Sequence, residues 1–341
     1  DEDLNNLLKA ERNSVFSIAQ LRQLWELSTN IFQYFDRPNA QMHPEFYQHP
    51  GLVMHDKPSL NAQIMYAHVH YIEAVLTQQP DRATQIMKDL IEKLESNPIR
   101  MKEDPSPLVT SMSNLIGLLL RLGQHKAIPR WLDQLRTIPQ RYGLIAEQKY
   151  NARLILRIYN IELEYYRDTK AWTKAIAMIP EVQSFLEHKP ERIPKDYKIL
   201  ISFQFAFVLF KEQQYDAALD WAGIILMGKF GEARMDIQRF ARLLNLMIHY
   251  ELNNDTVLKY GIQSTRRFLS KTRALSELER TLLRFFGKLV SKGVSDHEAV
   301  FIRLERDLYA ERNPLTDSEV EDFLDLRQWI RSHIRSIPGN T

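Results

Sequence analysis

Cysteine is missing from the chain altogether, which removes disulfides, thiolate nucleophiles and cysteine-ligated zinc together. Glycine is scarce, 11 in 341 residues. A chain poor in the residue of turns and rich in Leu, Ile, Glu, Lys, Arg and Gln favours helices over sheets. An excess of one charge is also missing: 45 Lys and Arg stand against 43 Asp and Glu, a net charge of +2, so no overall attraction to nucleic acid or an anionic membrane is expected. No run of 18 apolar residues is present to cross a bilayer, and no signal peptide is visible; a cytoplasmic location and no membrane partner are expected. The first residue is Asp1 rather than Met, which reads as a fragment or processed form. Catalytic signatures are absent: no glycine-rich phosphate loop, no His-Glu-x-x-His, no Gly-x-Ser-x-Gly. Carboxylates such as Glu162 and Glu164 are spread along helices, where they read as solvated faces or ion-pair partners. The chain is therefore expected not to be an enzyme and to need no cofactor.

Ten histidines invite a metal hypothesis. His43, His49 and His55 recur every six residues in a stretch broken by Pro38, Pro44, Pro50 and Pro58, a spacing that fits none of the usual ligand sets. His68 and His70 are two apart on an expected helix and point to different faces. No metal site is expected.

What the chain does have is helices in pairs. The stretch from Lys195 to Lys229 reads as two antiparallel helices around the turn Glu212-Gln213-Gln214-Tyr215-Asp216. Ile201, Phe203, Phe205 and Phe207 alternate with Ser202, Gln204 and Ala206, which is also the period of a half-buried strand. Length, the absence of internal Gly or Pro, and helical spacing in the neighbours favour helix. A helix apolar on nearly every side is an inner helix.

Further pairs are expected at 59–78 with 81–96, 106–122 with a helix ending before Pro139, 144–167 with 170–188, 232–252 with 255–270, and 276–291 with 295–311. Asp81 and Ser106 are read as helix caps. Pro180 is expected to kink its helix. Capping boxes are read at Ser276 with Glu279, Ser295 with Glu298 and Thr316 with Glu319, the last opening a terminal helix to Arg335. First helices start near 59, 106, 144, 195, 232 and 276, a loose period of roughly 37 to 51 residues.

The segment Leu209-Phe210-Lys211-Glu212-Gln213-Gln214-Tyr215-Asp216-Ala217-Ala218-Leu219-Asp220-Trp221 resembles the turn and second helix of a tetratricopeptide repeat, with Ala206 and Ala218 at its small-residue positions. Tyr250-Glu251-Leu252-Asn253-Asn254, followed by Tyr260, Ser264, Arg266, Arg267, Phe268 and Leu269, with Phe323, Leu324, Trp329 and Ile330, is similar to an uncharacterised bacterial group of such proteins. The resemblance implies fold and no activity: an all-α protein, an α-solenoid of about six antiparallel helix pairs with a C-terminal capping helix. The expected organisation is N-terminal helices at 1–36, a Pro/His-rich loop at 37–58, repeats at 59–311, and a capping helix and tail at 312–341.

The function expected of such an array is to hold a protein or peptide in its concave groove. Aligning the repeats by their turns puts His68, Ser113, Asn160 and Phe203 at one groove position and Glu164 and Phe207 one turn later. Asn160, Glu164 and Arg167, spaced by four and three on one face, can offer hydrogen bonds to a peptide backbone. The alternative is RNA binding through Arg266, Arg267, Lys271 and Arg273, and through the stripe Arg327, Arg331 and Arg335. Self-association through an exposed repeat end is a third expectation. Trp329, with Ile330 and Ile334, is expected to dock the last helix as a cap.

Overall fold

The chain folds into helices. The computed structural model describes residues 60–144, 149–188, 190–272, 275–291, 296–309 and 318–334, and among them there is no strand. The expectations for 1–36 and 37–58, the capping role of Thr316, and Arg273, Ser295 and Arg335 lie outside the described residues. Contacts divide the chain into two compact units between Tyr165 and Tyr166.

The first unit contains α1 (Leu60–Leu76), α2 (Pro80–Glu95), the short α3 (Pro98–Glu103), α4 (Ser106–Arg121), α5 (Ile128–Arg141) and most of α6 (Lys149–Asp168). The second contains the last residues of α6, then α7 (Trp172–Ala177), α8 (Ile179–His188), α9 (Lys195–Lys211), α10 (Tyr215–Met227), α11 (Met235–Glu251), α12 (Asp255–Thr272), α13 (Glu277–Leu289), α14 (His297–Leu308), α15 (Ser318–Leu324) and α16 (Leu326–Ser332). Within each unit a second helix packs on the first helix of the next pair: α2 on α4, and α10 on α11.

One turn recurs. Gln78, Gly123, Lys170, Gln213 and Asn253 all have φ between 54° and 65°, and each stands just past the first helix of a pair. The amide after it bonds back five residues, Gln79 to Ala74, Gln124 to Leu119, Ala171 to Tyr166, Gln214 to Leu209 and Asn254 to His249, at 2.8–3.0 Å. That is the left-handed closure that satisfies the last carbonyls of a helix. Four of the five closures fall in the turns read from the sequence at 122–127, 167–170, 212–216 and 253–254, and the closure at Gln78 was not among them.

The strand-like alternation in α9 is helix. Ile199 and every residue from Ile201 to Phe210 is buried, polar Ser202 and Gln204 included, because α7, α10 and α11 pack around it. In α10 the small residues Ala218 and Ala222 are fully buried and let the two helices approach closely.

Helix starts differ from the sequence reading. Gln79, not Asp81, precedes α2, with Pro80 as its first residue. Pro105, not Ser106, precedes α4; Asp104 instead accepts the Ser106 amide at 3.0 Å. Pro139 lies inside α5 rather than after it. The bend expected at Pro180 is a full break at Met178, because proline in the first turn of α8 has no amide to continue α7. The capping box at Ser276 is present, each partner receiving the other's backbone amide. Asp296 caps α14 through the Ala299 amide at 2.9 Å. The terminal helix is two, α15 and α16, parted at Asp325, whose φ is 45°.

Candidate functional site

In the first unit a polar seam joins α1, α4 and α6. Tyr71 donates its hydroxyl to the Asn114 carbonyl at 3.2 Å, and Arg157 donates to the Asn114 side chain at 3.1 Å. Arg121 also bonds Tyr71, and burial pushes the Tyr71 phenol up while both arginines pull it down. His68 lies behind them, fully enclosed and 3.5 Å from the Ser111 hydroxyl. Burial first, and the Arg157 charge second, depress its pKa to about 4, so the ring is neutral at physiological pH. Along α6, Asn160 donates to Glu164 at 2.7 Å, and both side chains are half-buried. Such a surface offers paired donors and acceptors.

Between α1 and α2 runs a cleft of about 420 Å³, lined in part by Tyr66, His70, Arg82, Ile86 and Asp89. His70 meets Glu73 at 2.7 Å, and Arg82 meets the same carboxylate at 3.1 Å. A salt-bridged carboxylate with an imidazole orders the cleft wall.

In the second unit the first helices are covered by the chain's own C-terminal segment. Phe323 of α15 sits edge-on to Phe203 of α9, centroids 5.7 Å apart. It stacks on Phe240 of α11 at 4.9 Å, under the Arg167 guanidinium at 5.5 Å. Lys211 at the end of α9 donates to Asp325 at 2.7 Å and to Gln328 at 3.1 Å. Trp329 of α16 lies among Tyr250, Phe285, Phe286 and Phe301 at 5.3 to 6.1 Å, and its indole N–H donates to Glu251. His333 stacks on Phe301 at 4.4 Å. Its Nε2 faces Glu251 at 3.2 Å and its Nδ1 faces the Trp329 carbonyl at 2.9 Å. Two acceptors on two ring nitrogens suit the imidazolium: burial opposes it, yet Glu251 and that carbonyl raise the His333 pKa overall. Burial likewise pushes Glu251 up, but His333, Trp329 and Tyr215 outweigh it and lower the carboxyl. Arg331 pairs with Glu305 at 2.7 Å, and the Arg327 guanidinium lies 4.1 Å over Tyr309.

These positions correct several expectations. His68 and Ser113 are buried at 5% exposure, and Ser113 returns its hydroxyl to the Val109 carbonyl at 2.7 Å; Phe203 is buried at 0% with Phe323 against it. Phe207 is buried at 3%, edge-on to Trp172 and 6.0 Å beneath Arg167. In the first unit Asn114, next to Ser113, and Arg157, one turn before Asn160, are half-buried, as Asn160 and Glu164 are. Glu162 is the ion-pair partner of Arg136, through Nε at 2.8 Å. Arg327 lies over Tyr309 and Arg331 pairs with Glu305, and both are exposed. Arg266, Arg267 and Lys271 are exposed on α12. Among the described residues no cluster of three or more His, Asp or Glu is arranged to hold a metal ion, and no helix is long and apolar enough to cross a membrane.

The sequence reading foresaw Trp329 docking and missed Phe323. The signal was an aromatic six residues before the tryptophan with Asp325 between, which one continuous helix would have placed on different faces. Comparison with protein-family models, with curated proteins and with solved structures found no match to this chain.

Proposed function

We propose that the chain is a non-catalytic scaffold, a diverged tetratricopeptide-like array whose helix pairs stack as a solenoid and whose first-helix faces hold a protein or peptide partner. A cytoplasmic location and a bacterial origin belong to the same reading. The observation that carries it is the covering of α9, α11 and α13 by α15 and α16: a short helical segment already lies on such a face, held by two aromatic anchors with charged groups at the rim. That is how helical segments are recognised in grooves. The recurrent left-handed turn supports a repeat origin, and the seam of Asn114, Arg157, Asn160 and Glu164 supplies hydrogen-bonding groups to a partner of the first unit.

The test is capture of partners by the immobilised chain, washed at low and high salt with and without nuclease, beside the variant Asn160→Ala, Glu164→Gln. A protein retained through salt and nuclease and lost from the variant is expected. Retention of no protein sinks the scaffold, and equal retention by the variant removes the α6 site. The second reading, nucleic-acid binding, is favoured by the exposed cluster Arg266, Arg267 and Lys271 on α12. It requires captured RNA whose affinity falls steeply with salt.

A further inference from the structure

We propose that residues 318–334 are an internal occupant of a partner-binding surface on α9, α11, α13 and α14, and that the partner it stands in for is a short helical segment of the same chemistry. This rests on the scaffold reading and adds to it the ligand and its regulation: an aromatic residue, an acidic one two positions on, a tryptophan six positions on and a basic residue two beyond that.

The contact has the anatomy of an interface between two molecules. Two aromatic anchors sit at its centre, and polar groups ring them. Phe323 meets Phe203, Phe240 and Arg167, while Trp329 meets Tyr250, Phe285 and Phe301. The charges are complementary in order along the segment: Asp325 to Lys211, the indole N–H to Glu251, Arg331 to Glu305. Each opposes a fixed group of the scaffold, so the sequence of the segment is read by the surface.

Two features argue that the occupant is held rather than self-supporting. α15 and α16 are seven residues each, too short to persist as helices without the surface beneath them. Asp325, which parts them, has a left-handed backbone at φ 45° and ψ 47° without a side-chain cap. A non-glycine residue adopts that conformation at a cost that its surroundings must offset, and the Asp325 carboxylate is held by Lys211 at 2.7 Å.

The experiment uses the full chain with a protease site inserted between Asn313 and Pro314, and a fluorescent peptide of residues 318–334. After cutting, with circular dichroism showing the helices intact, the peptide is expected to exchange into the seat. Phe323→Ala and Trp329→Ala peptides should bind at least about tenfold more weakly, as loss of a central aromatic anchor implies. The uncut chain should bind the peptide far more weakly still, since its own segment is present at an effective concentration on the order of millimolar. Lys211→Glu in the cut chain should favour an Asp325→Lys peptide over the native one. A cut chain that keeps its segment through gel filtration and takes up no peptide overturns the proposal, as does equal binding of the alanine peptides. Dimers formed by trading these segments would assign the seat to a second copy and overturn it too. Failure here leaves partner capture through Asn160 and Glu164 untouched, and failure of that capture leaves this exchange measurable.

Discussion

His68 in the first unit and His333 in the second are both packed among side chains of neighbouring helices, but they face charges of opposite sign. His68 lies near Arg157, and with burial this keeps it neutral, its pKa about 4 against an ordinary 6.5. His333 lies against Glu251, which holds the proton on and raises its pKa. Acid therefore acts on the units in opposite senses. Below pH 6.5 the unfolded chain protonates at residue 68 and the folded unit resists, so stability from neutral His68 is full above 6.5 and lost as pH falls towards 4. Stability from charged His333 is full below 6.5 and lost as pH rises through its raised folded value. Glu251, lowered by the same contact, contributes above 4.5 and loses its share as pH falls through its folded value. The clasp is thus firmest in mildly acidic solution, where the polar seam of the first unit is weakening. Burial lowers the pKa of both histidines, and at His333 the Glu251 carboxylate and the Trp329 carbonyl outweigh it.

The same contrast holds for the ion pairs, and breaking them gives the largest expected effect. Arg239 of α11 and Glu279 of α13 bond through the arginine Nε at 2.8 Å, with side chains only 8% and 5% exposed. Glu279 also accepts the Ser276 amide. Arg239→Met strands a buried carboxylate, and the second unit should lose about 3–5 kcal/mol. The counterpart in the first unit, Arg136 with Glu162, has an arginine 41% exposed over a carboxylate 7% exposed. Water reaches that pair from the arginine side, so Arg136→Met should cost about 1–3 kcal/mol. Urea unfolding followed by circular dichroism at pH 7 measures both; equal losses would mean that the two pairs share one dielectric environment.

Next in size is the pH response. A shift from 6.5 to about 4 corresponds to about 3 kcal/mol lost from the first unit by pH 4. His68→Gln should flatten that dependence between pH 7 and 4, though at a cost in packing at every pH. His333→Gln should do the reverse, removing stability most at mildly acidic pH and least at pH 9. Thermal melts of both variants at half-unit pH steps decide the matter; parallel shifts at all pH values would deny titration any part.

The helices, their pairing and most turns were legible because apolar spacing lapses at each turn, and several turns carry residues that stop a helix, as at Gly123, Asn253 and Pro80. α9 was legible despite its strand-like alternation because length excluded the strand. Faces were harder to read. The period in α1, α4, α6 and α9 says which residues are apolar, not which apolar side a neighbour covers: Ser113 is buried while Asn114 beside it is half-open, and Arg157, one turn before Asn160, bonds to that Asn114. The seat of Phe323 was illegible for another reason. It depends on Asp325 adopting a left-handed backbone, which no periodicity announces, and on residues about 120 positions away in sequence, such as Phe203 and Lys211. Trp329 was easier, because a large aromatic beside Ile330 needs cover wherever it lands.

The smallest expected effect concerns the shared turn and sharpens the comparison between units. The first unit closes one hairpin with Gly123 at φ 65°, where an added Cβ would meet nothing within 4 Å. Gly123→Ala therefore tests backbone preference alone, and should cost about 1 kcal/mol. The second unit closes the equivalent hairpin with Gln213 at φ 59°, exposed and without need of its side chain for the closure, whose bonds run from backbone to backbone. Gln213→Gly relieves the left-handed strain but enlarges the freedom of the unfolded chain, so the net gain should be below about 1 kcal/mol. Opposite signs for the two substitutions are expected from denaturation midpoints at pH 7. A loss at Gln213 would mean that its side chain, rather than its backbone, holds α9 to α10.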